Sequence, residues 1–206
     1  PVNIALFGRM VADDPGLSCD AAAQVAHSIS THEVHVESDY FTAVDDLKVD
    51  SSGAGHLGVA EFCSATLYRY ATVAVHELAR NCKDDVAIAA REFVKAFVLS
   101  MPTGKQNTFA NRTVPGFVYV TIRADQPVNL VNAFEKPVLP GKDGFMDRSI
   151  EALKETSSRI YKDFLGEPEA SVYVGKEVEG MGKRLPMKDV LTFVKEYVRN
   201  SANDNV

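Results

Sequence analysis

Two adjacent carboxylates, Asp45 and Asp46, are the side chains in this sequence best suited to catalysis. Paired carboxylates can hold Mg²⁺, and a metal held in this way can support cleavage of a phosphodiester bond. Adjacent aspartates are also common on solvated loops, and no nearby His, Glu or Lys completes an evident acid–base set. We favour the solvated loop and therefore predict no catalytic residue. A metal-dependent endoribonuclease that uses Asp45 or Asp46 is the alternative.

Two histidines, His32 and His35, flank Glu33 and suggest a metal site at first sight. The pattern of Thr31–Val36 predicts a strand, and residues three apart on a strand point to opposite faces of the sheet. The two rings could not then bind one ion together. We predict structural or surface histidines here and no bound metal.

A phosphate-binding loop is suggested by Gly104 and Lys105. The Walker pattern needs a Gly five positions before that Gly and a Ser or Thr after the Lys. Those positions hold Leu99 and Gln106, so the motif fails. We predict no cofactor of any kind.

The segment Tyr40–Val44 places aromatic and apolar side chains among acidic residues. Phe41 and Val44 could pack into the core. They could equally contact a partner or unstack bases, because apolar wedges between bases and aromatic contacts with base faces are known modes of nucleic-acid binding. The residues alone leave these alternatives open.

The charge of the chain gives evidence both against and for nucleic-acid binding. The formal net charge is −6, which argues against nucleic-acid binding, because phosphates are held by clustered Lys and Arg. Distribution matters more than the sum: residues 101–124 contain no acidic residue and three basic ones, Lys105, Arg112 and Arg123. Residues 33–61 are strongly acidic. The two segments therefore differ in the charge that they would present to a partner, if the second is exposed.

Composition narrows the class of protein. The chain has 206 residues, of which 46% are hydrophobic and 24% charged, as in a soluble globular protein. No stretch approaches the roughly 20 apolar residues of a membrane span, so we predict no membrane partner. Three widely separated cysteines argue against a disulfide framework or a zinc ribbon and favour a reducing cytoplasm.

Strands alternate with amphipathic helices along the chain, which predicts an α+β fold of a sheet with helices on it. A ferredoxin-like or RNA-recognition arrangement fits this order. Residues 38–58 are irregular and predict a loop or a projecting hairpin. The predicted helices are Asp20–Ser30, one that starts after Asp84 and Asp85, one over Ile150–Phe164 and one over Val190–Val198. The predicted strands are Val2–Phe7, Thr31–Val36, Phe62–Val75, Phe117–Ile122 and Ala170–Val174.

Several blocks of the sequence resemble one known family. They occur in family order over most of the chain and are Asn3–Met10 (NIALFGRM), Asp20–His27, Ile29–Val34, Phe41–Leu47 (FTAVDDL), His56–Gly58, Tyr68–Ala71, Gly104–Gln106, Asn132–Lys136 and Lys142–Phe145. The chain resembles the CasC family, the backbone subunits of type I-E Cascade in CRISPR systems. No single block decides the resemblance, but together they are specific.

The resemblance implies a function in antiviral defence. Copies of the family protein stack along the CRISPR RNA, each with an RNA-recognition-like palm, fingers and a β-hairpin thumb that displaces one base at intervals. The remaining guide bases pair with target DNA, in line with the rule that pairing reads the sequence while the protein reads backbone and shape. The implied partners are CRISPR RNA, target DNA, further copies of this chain and other Cascade subunits. Family members of type I-E are not known as nucleases, so we predict a protein that is not an enzyme.

The resemblance also assigns residues. Phe41, Thr42, Val44 and Leu57 resemble thumb residues that wedge at the interrupted base, and Met10 resembles the palm residue at the same kink. Lys105 and Gln106 resemble part of a loop that faces the RNA backbone. We expect one palm domain over residues 1–206 with the thumb inserted at about residues 37–60. A protein-interaction domain whose Phe41 patch binds another protein is a further alternative.

The resemblance begins part-way along the family protein. Family members carry a long N-terminal portion before the point that matches Pro1, with the fingers, the start of the palm and several basic RNA contacts. We expect this chain to be the C-terminal part of such a protein, with an incomplete RNA groove.

Overall fold

Short β-ribbons and one three-stranded sheet form the fold, with helices packed on them. The computed structural model describes residues 1–43, 56–82 and 85–203. In chain order the helices are α1 (Val2–Phe7), α2 (Val75–Cys82), α3 (Val86–Leu99), α4 (Gln106–Phe109), α5 (Met146–Ile160) and α6 (Met187–Asn203). The strands are β1 (Ala23–Val25), β2 (Ile29–Ser30), β3 (Glu37–Ala43), β4 (His56–Phe62), β5 (Leu67–Tyr68), β6 (Ala71–Val73), β7 (Val118–Ile122), β8 (Ala170–Val174) and β9 (Lys183–Arg184).

The three-stranded sheet has the order β7-β8-β9 and lies between two layers of helices. β7 is antiparallel to β8, with Val118 opposite Val174, and β9 is parallel to β8. Successive side chains of a strand point to opposite faces. Val120 accordingly packs against a cluster formed by α3 and α6, whereas Tyr119 packs against a cluster that includes Leu153 of α5. Both faces of β7 are therefore covered.

The sequence predicted the strongly periodic elements of this sheet and its helices correctly. β8 has the predicted bounds, β7 differs from them by one residue, and α3 begins directly after Asp85. The predicted apolar faces of α3 and α6 are buried against each other, through Val86, Ala89, Ala90, Phe93, Val194 and Val198. The predicted α+β class is confirmed. Within the described ranges, the structure contains no helix with the length and apolar content of a membrane span.

The prediction was wrong near the N-terminus. Residues 2–7, predicted as a strand, form α1, because a short apolar run does not by itself distinguish a strand from a buried helix. Residues 20–30, predicted as a helix, contain β1 and β2 instead. β1 pairs with β6 and β2 pairs with β5, so pairing with strands more than 35 positions away outweighs the helical spacing of the alanines.

Two further predicted strands differ from the structure. Residues 31–36 are irregular, and the strand begins only at Glu37. The long strand predicted over residues 62–75 is divided into the end of β4, β5 and β6.

Phe164, predicted on the buried face of α5, is 76% exposed. Its turn is π-helical (Tyr161–Leu165), and the extra residue per turn rotates it away from the face that α5 buries.

Arg123 has a structural role that its charge alone did not predict. Its side chain is only 5% exposed and binds Asp125 through two hydrogen bonds of 2.8 and 2.7 Å. It also donates to the carbonyl oxygens of Leu165 and Gly166, which end the π-helical turn, and its guanidinium lies 5.2 Å from the ring centroid of Tyr161. Arg123 is therefore not one of the cations that residues 101–124 offer to a phosphate.

Replacement of Arg123 by Met should destabilise the fold in a pH-dependent way. The guanidinium lowers the pKa of Asp125 to about 2 from its ordinary 3.8. A carboxyl with a lowered folded-state pKa stabilises above its unfolded pKa and loses that contribution as the pH falls toward its folded pKa. The difference in unfolding free energy between parent and variant should narrow from about pH 5 to about pH 3 in urea titrations.

Arg148→Met is the matched control, because the ion pair of Arg148 with Glu151 is exposed at both ends and such pairs contribute little. A difference between parent and Arg123→Met that stays constant with pH would contradict this account of Asp125.

Candidate nucleic-acid interface

The hairpin of β3 and β4 is exposed on both of its faces. Seven residue pairs join the strands, from Glu37 opposite Phe62 to Ala43 opposite His56. Every residue of β3 is exposed, and every residue of β4 is exposed or half-buried. Residues 38–58 were predicted as a loop or a projecting hairpin, and the described part of this segment is a hairpin, with residues 44–55 outside the described residues. An isolated two-stranded hairpin is only marginally stable in water, so such a surface points to a partner.

Phe41 occupies one face of the hairpin, above Gly58. The two residues are directly opposite each other, and a Cβ added at Gly58 would lie 2.4 Å from Cζ of Phe41. The ring of His56 is on the same face, 6.1 Å from the Phe41 ring between centroids. In its observed position, the ring of Phe41 covers the space that a side chain at position 58 would occupy.

The other face carries Thr42 and Leu57, which are opposite each other, and Tyr40 opposite Val59. Tyr40 is 71% exposed and Leu57 is 66% exposed. The predicted wedge residues are thus divided between two faces, since side chains alternate along a strand. Tyr40 was not among the predicted site residues. Its place in the aromatic and apolar segment Tyr40–Val44 is the feature of the sequence that could have identified it.

Val44 is the remaining predicted thumb residue. It lies outside the described residues, and so do the two candidate carboxylates Asp45 and Asp46. The predicted roles of these three residues rest on the sequence alone and stay predictions.

A short ribbon of β2 and β5 leads into the hairpin. Beyond that ribbon, the N–H of Thr31 donates to the carbonyl of Thr66 at 2.9 Å, and the N–H of Thr66 donates to Nε2 of His32 at 3.0 Å. Residues 33–36 and 63–65 follow without regular secondary structure before β3 and β4 begin pairing. The hairpin is therefore joined to the anchored ribbon by two irregular linking segments.

His32 anchors the base of this ribbon. Because its Nε2 accepts the hydrogen bond from Thr66, its Nδ1 donates to the carbonyl of Glu33 at 2.6 Å. Its ring is buried and stacks on Phe145 at 3.7 Å between centroids. His35 is exposed. The prediction of structural or surface histidines is confirmed, although the segment is not a strand. Residues 1–43, 56–82 and 85–203 contain no group of three or more His, Cys, Asp or Glu that could hold a metal.

Lys105 and Gln106 lie at the start of α4. Lys105 has a left-handed backbone (φ 59°) and an exposed side chain, whereas Gln106 is half-buried. Phe109, at the end of α4, contacts Phe62 at the base of the hairpin, with 5.3 Å between ring centroids. Phe62 is on the same face of the hairpin as Phe41, because positions 58, 60 and 62 alternate together. The turn that begins at Lys105, called the Lys105 loop below, is therefore adjacent to the face of the hairpin that carries Phe41.

Met10 is 88% exposed on a closed loop of residues 9–19. Arg9 and Cys19 exchange two backbone hydrogen bonds of 2.8 Å that close the loop. The guanidinium of Arg9 also donates to the carbonyl of Leu17 at 2.7 and 3.1 Å. A closed loop loses little freedom when its exposed methionine binds a partner. Met10 is on a separate element from the hairpin and from Lys105.

Comparison with known proteins identifies the family. The sequence profile of the CT1975-like proteins, a family of Cas proteins, matches residues 1–192. The chain belongs to the CT1975-like protein family. No curated protein sequence matches this CT1975-like chain.

Two solved structures resemble the CT1975-like chain in fold and sequence. One is a chain of a "CRISPR RNA-guided surveillance complex, pre-nicking", with a TM-score of 0.81 and 33% identity over 94% of this chain and 56% of that one. The other is a chain of a "CRISPR RNA-guided surveillance complex", with a TM-score of 0.81 and 33% identity over 97% of this chain and 78% of that one. The chain thus spans a little over half the length of the first of these relatives.

Gly8→Ala should disturb the Met10 loop of this CT1975-like protein. Gly8 has φ 75°, and an added Cβ would lie 2.7 Å from the carbonyl oxygen of Cys19, the residue that closes the loop. A left-handed residue other than Gly costs about 1–3 kcal/mol, before any overlap. Chemical denaturation should show a loss of at least this size. Gly104→Ala, with nothing within 4 Å of an added Cβ, should stay within about 0.5 kcal/mol of the parent, and equal effects would refute the explanation.

Proposed function

We propose that this CT1975-like protein is a CRISPR-RNA-binding backbone subunit of a Cascade complex of type I-E. Several copies bind along the guide RNA, and each hairpin displaces one base, so that the remaining bases pair with target DNA. The observation that carries the proposal is the hairpin with exposed apolar side chains on both faces. The two similar chains from CRISPR RNA-guided surveillance complexes support it.

A wedge between two bases must be apolar on both sides, because it contacts the base before it and the base after it. Phe41 supplies one side, and Thr42 with Leu57 supplies the other. Unstacking a base step costs a few kcal/mol, which the contacts of the wedge offset. The division of the predicted residues between two faces is thus the arrangement that base displacement requires. Tyr40, on the second face, extends that contact.

Phosphate binding falls to another part of the surface. The hairpin carries the exposed acidic residues Glu37, Asp39 and Glu61, which repel phosphates. Lys105 and Arg112 are exposed cations in a segment without acidic residues. Because phosphate contacts supply most affinity that is independent of sequence, the loop holds the backbone and the hairpin acts on the base.

The proposed partners follow from this division of labour. The guide RNA contacts the loop and the hairpin, and target DNA is recognised through pairing with the guide. Further copies of this chain and other Cascade subunits complete the complex. In this proposal the protein cuts no nucleic acid and needs no metal.

Phe41→Ala and the double replacement Lys105→Ala with Arg112→Ala should have different effects in the assembled complex. The Phe41 variant should lose the periodic chemical reactivity of displaced guide bases and keep the salt dependence of RNA binding. The double variant should bind RNA more weakly, with a salt slope reduced by roughly 0.7 for each phosphate that the protein no longer neutralises. Footprinting and salt titrations of binding measure the two effects.

Phe164→Ala is the control, since Phe164 is an exposed aromatic outside the hairpin. An unaltered footprint in the Phe41 variant would refute the wedge. Loss of assembly in the Phe41 variant, with the RNA affinity of the parent retained, would favour the alternative in which the Phe41 patch binds protein.

Replacement of Asp45 and Asp46 by Ala should leave RNA integrity unchanged with or without Mg²⁺, because neither carboxylate has a catalytic role in the proposal. Gel analysis of labelled guide and target RNA after incubation with parent and variant measures this. A Mg²⁺-dependent cut by the parent that the variant lacks would establish the endoribonuclease instead.

A further inference from the structure

The base of the hairpin is held by a ring pair. Phe62 is the last residue of β4 and Phe109 is the last residue of α4, and their rings lie 5.3 Å apart at 50°. The irregular segments 33–36 and 63–65 separate this pair from the ribbon that His32 anchors. The hairpin is thus free to pivot at the two segments unless a contact beyond them fixes its angle. The ring pair lies just beyond them.

Helix α4 connects this ring pair to Lys105. The N–H of Phe109 donates to the carbonyl of Lys105 at 2.9 Å. The residues at both ends of α4, Lys105 and Ala110, have left-handed backbones with φ 59° and 50°. Such conformations cost energy in residues other than Gly and persist only where the surroundings impose them. Lys105 and Phe109 consequently belong to one turn whose backbone conformation is imposed by its surroundings.

We infer that Phe109 is a positioning residue, which fixes the angle of the hairpin relative to the Lys105 loop. This inference rests on the proposed function. In it, the loop at Lys105 that contacts phosphate and the hairpin that contacts the base form one rigid unit. The path runs from Lys105 through the turn to Phe109, across the rings to Phe62, and along β4 to Gly58 beneath Phe41. RNA held at the loop then meets the wedge at a fixed distance along its backbone.

The exposure of the ring pair distinguishes this role from ordinary core packing. Phe62 and Phe109 are each 40% exposed, and neither belongs to the two buried clusters of the described structure. Loss of the Phe109 ring should therefore change global stability little. It should change the orientation of the hairpin much more.

The orientation can be measured without RNA. Spin labels at Ser38→Cys on the hairpin and Ser158→Cys on α5, both exposed positions, report one distance across the joint in the intact chain. Cys19, Cys63 and Cys82 are replaced by Ala beforehand in every variant. The parent should give a narrow distance distribution. Phe109→Ala should raise the population of displaced hairpin orientations about 2- to 10-fold. This factor corresponds to the stabilisation that one aromatic pair gives to the observed orientation.

Four variants make the test specific. Phe109→Tyr keeps a ring that can contact Phe62 and should restore the narrow distribution. Phe62→Ala should match Phe109→Ala, and the double variant should be no broader than either, because both remove the same ring pair. Phe164→Ala should leave the distribution narrow. An equally narrow distribution in Phe62→Ala and Phe109→Ala would overturn the inference.

RNA footprints then separate this inference from the proposed function. In the assembled complex, Phe109→Ala should reduce the periodic reactivity of displaced bases while the salt slope of binding stays that of the parent. A parent without periodic reactivity would refute base displacement, and the distance measurement would still decide the role of Phe109. A parent footprint that survives unchanged in Phe109→Ala, despite a broadened hairpin, would refute the coupling and leave the wedge standing.

Discussion

Coverage of both faces of β7 and β8 is the constraint on which the rest of the structure depends. A strand buried on two sides needs a helix layer on each, and α3 with α6 supplies one layer while α5 supplies the other. The start of α5 also anchors the ribbon below the hairpin: Phe145 stacks on His32, and Oγ of Ser149 lies 2.9 Å from Oγ1 of Thr31. The exposed hairpin is thus linked to the packed core of the molecule through a few specific contacts.

Local pattern predicted the parts of the fold that local pattern controls. The apolar faces of α3 and α6 and the run of β8 contain their own periodic signal, and the structure has them where predicted. α1, β1 and β2 are short, and their conformation depends on partners far along the chain. The six residues 2–7 and the eleven residues 20–30 could therefore not decide by themselves between helix and strand. The family resemblance named the thumb residues, but only the strand register shows that Phe41 and Leu57 lie on opposite faces.

The charge composition of a segment likewise does not predict which of its charged side chains are available for binding. The basic stretch 101–124 looked like a phosphate-binding segment, yet Arg123 is committed to Asp125 and to two helix-ending carbonyls. What remains is a small cationic loop beside an acidic hairpin. A charge can serve as a structural hydrogen-bond donor as readily as a binding group, and the sequence does not state which.

The contact of Phe41 with Gly58 has a consequence for how the hairpin folds. Most exposed ribbons select their pairing by turning apolar residues to one side, and a slip by one residue is then penalised because it exposes them. This ribbon is apolar on both sides, so that penalty is weak. The seat of the Phe41 ring over a glycine adds a second preference: after a slip of one position, Phe41 would meet Leu57 or Val59, and its ring would have to turn aside. The glycine therefore favours one pairing of the strands among those that hydrophobicity alone would permit.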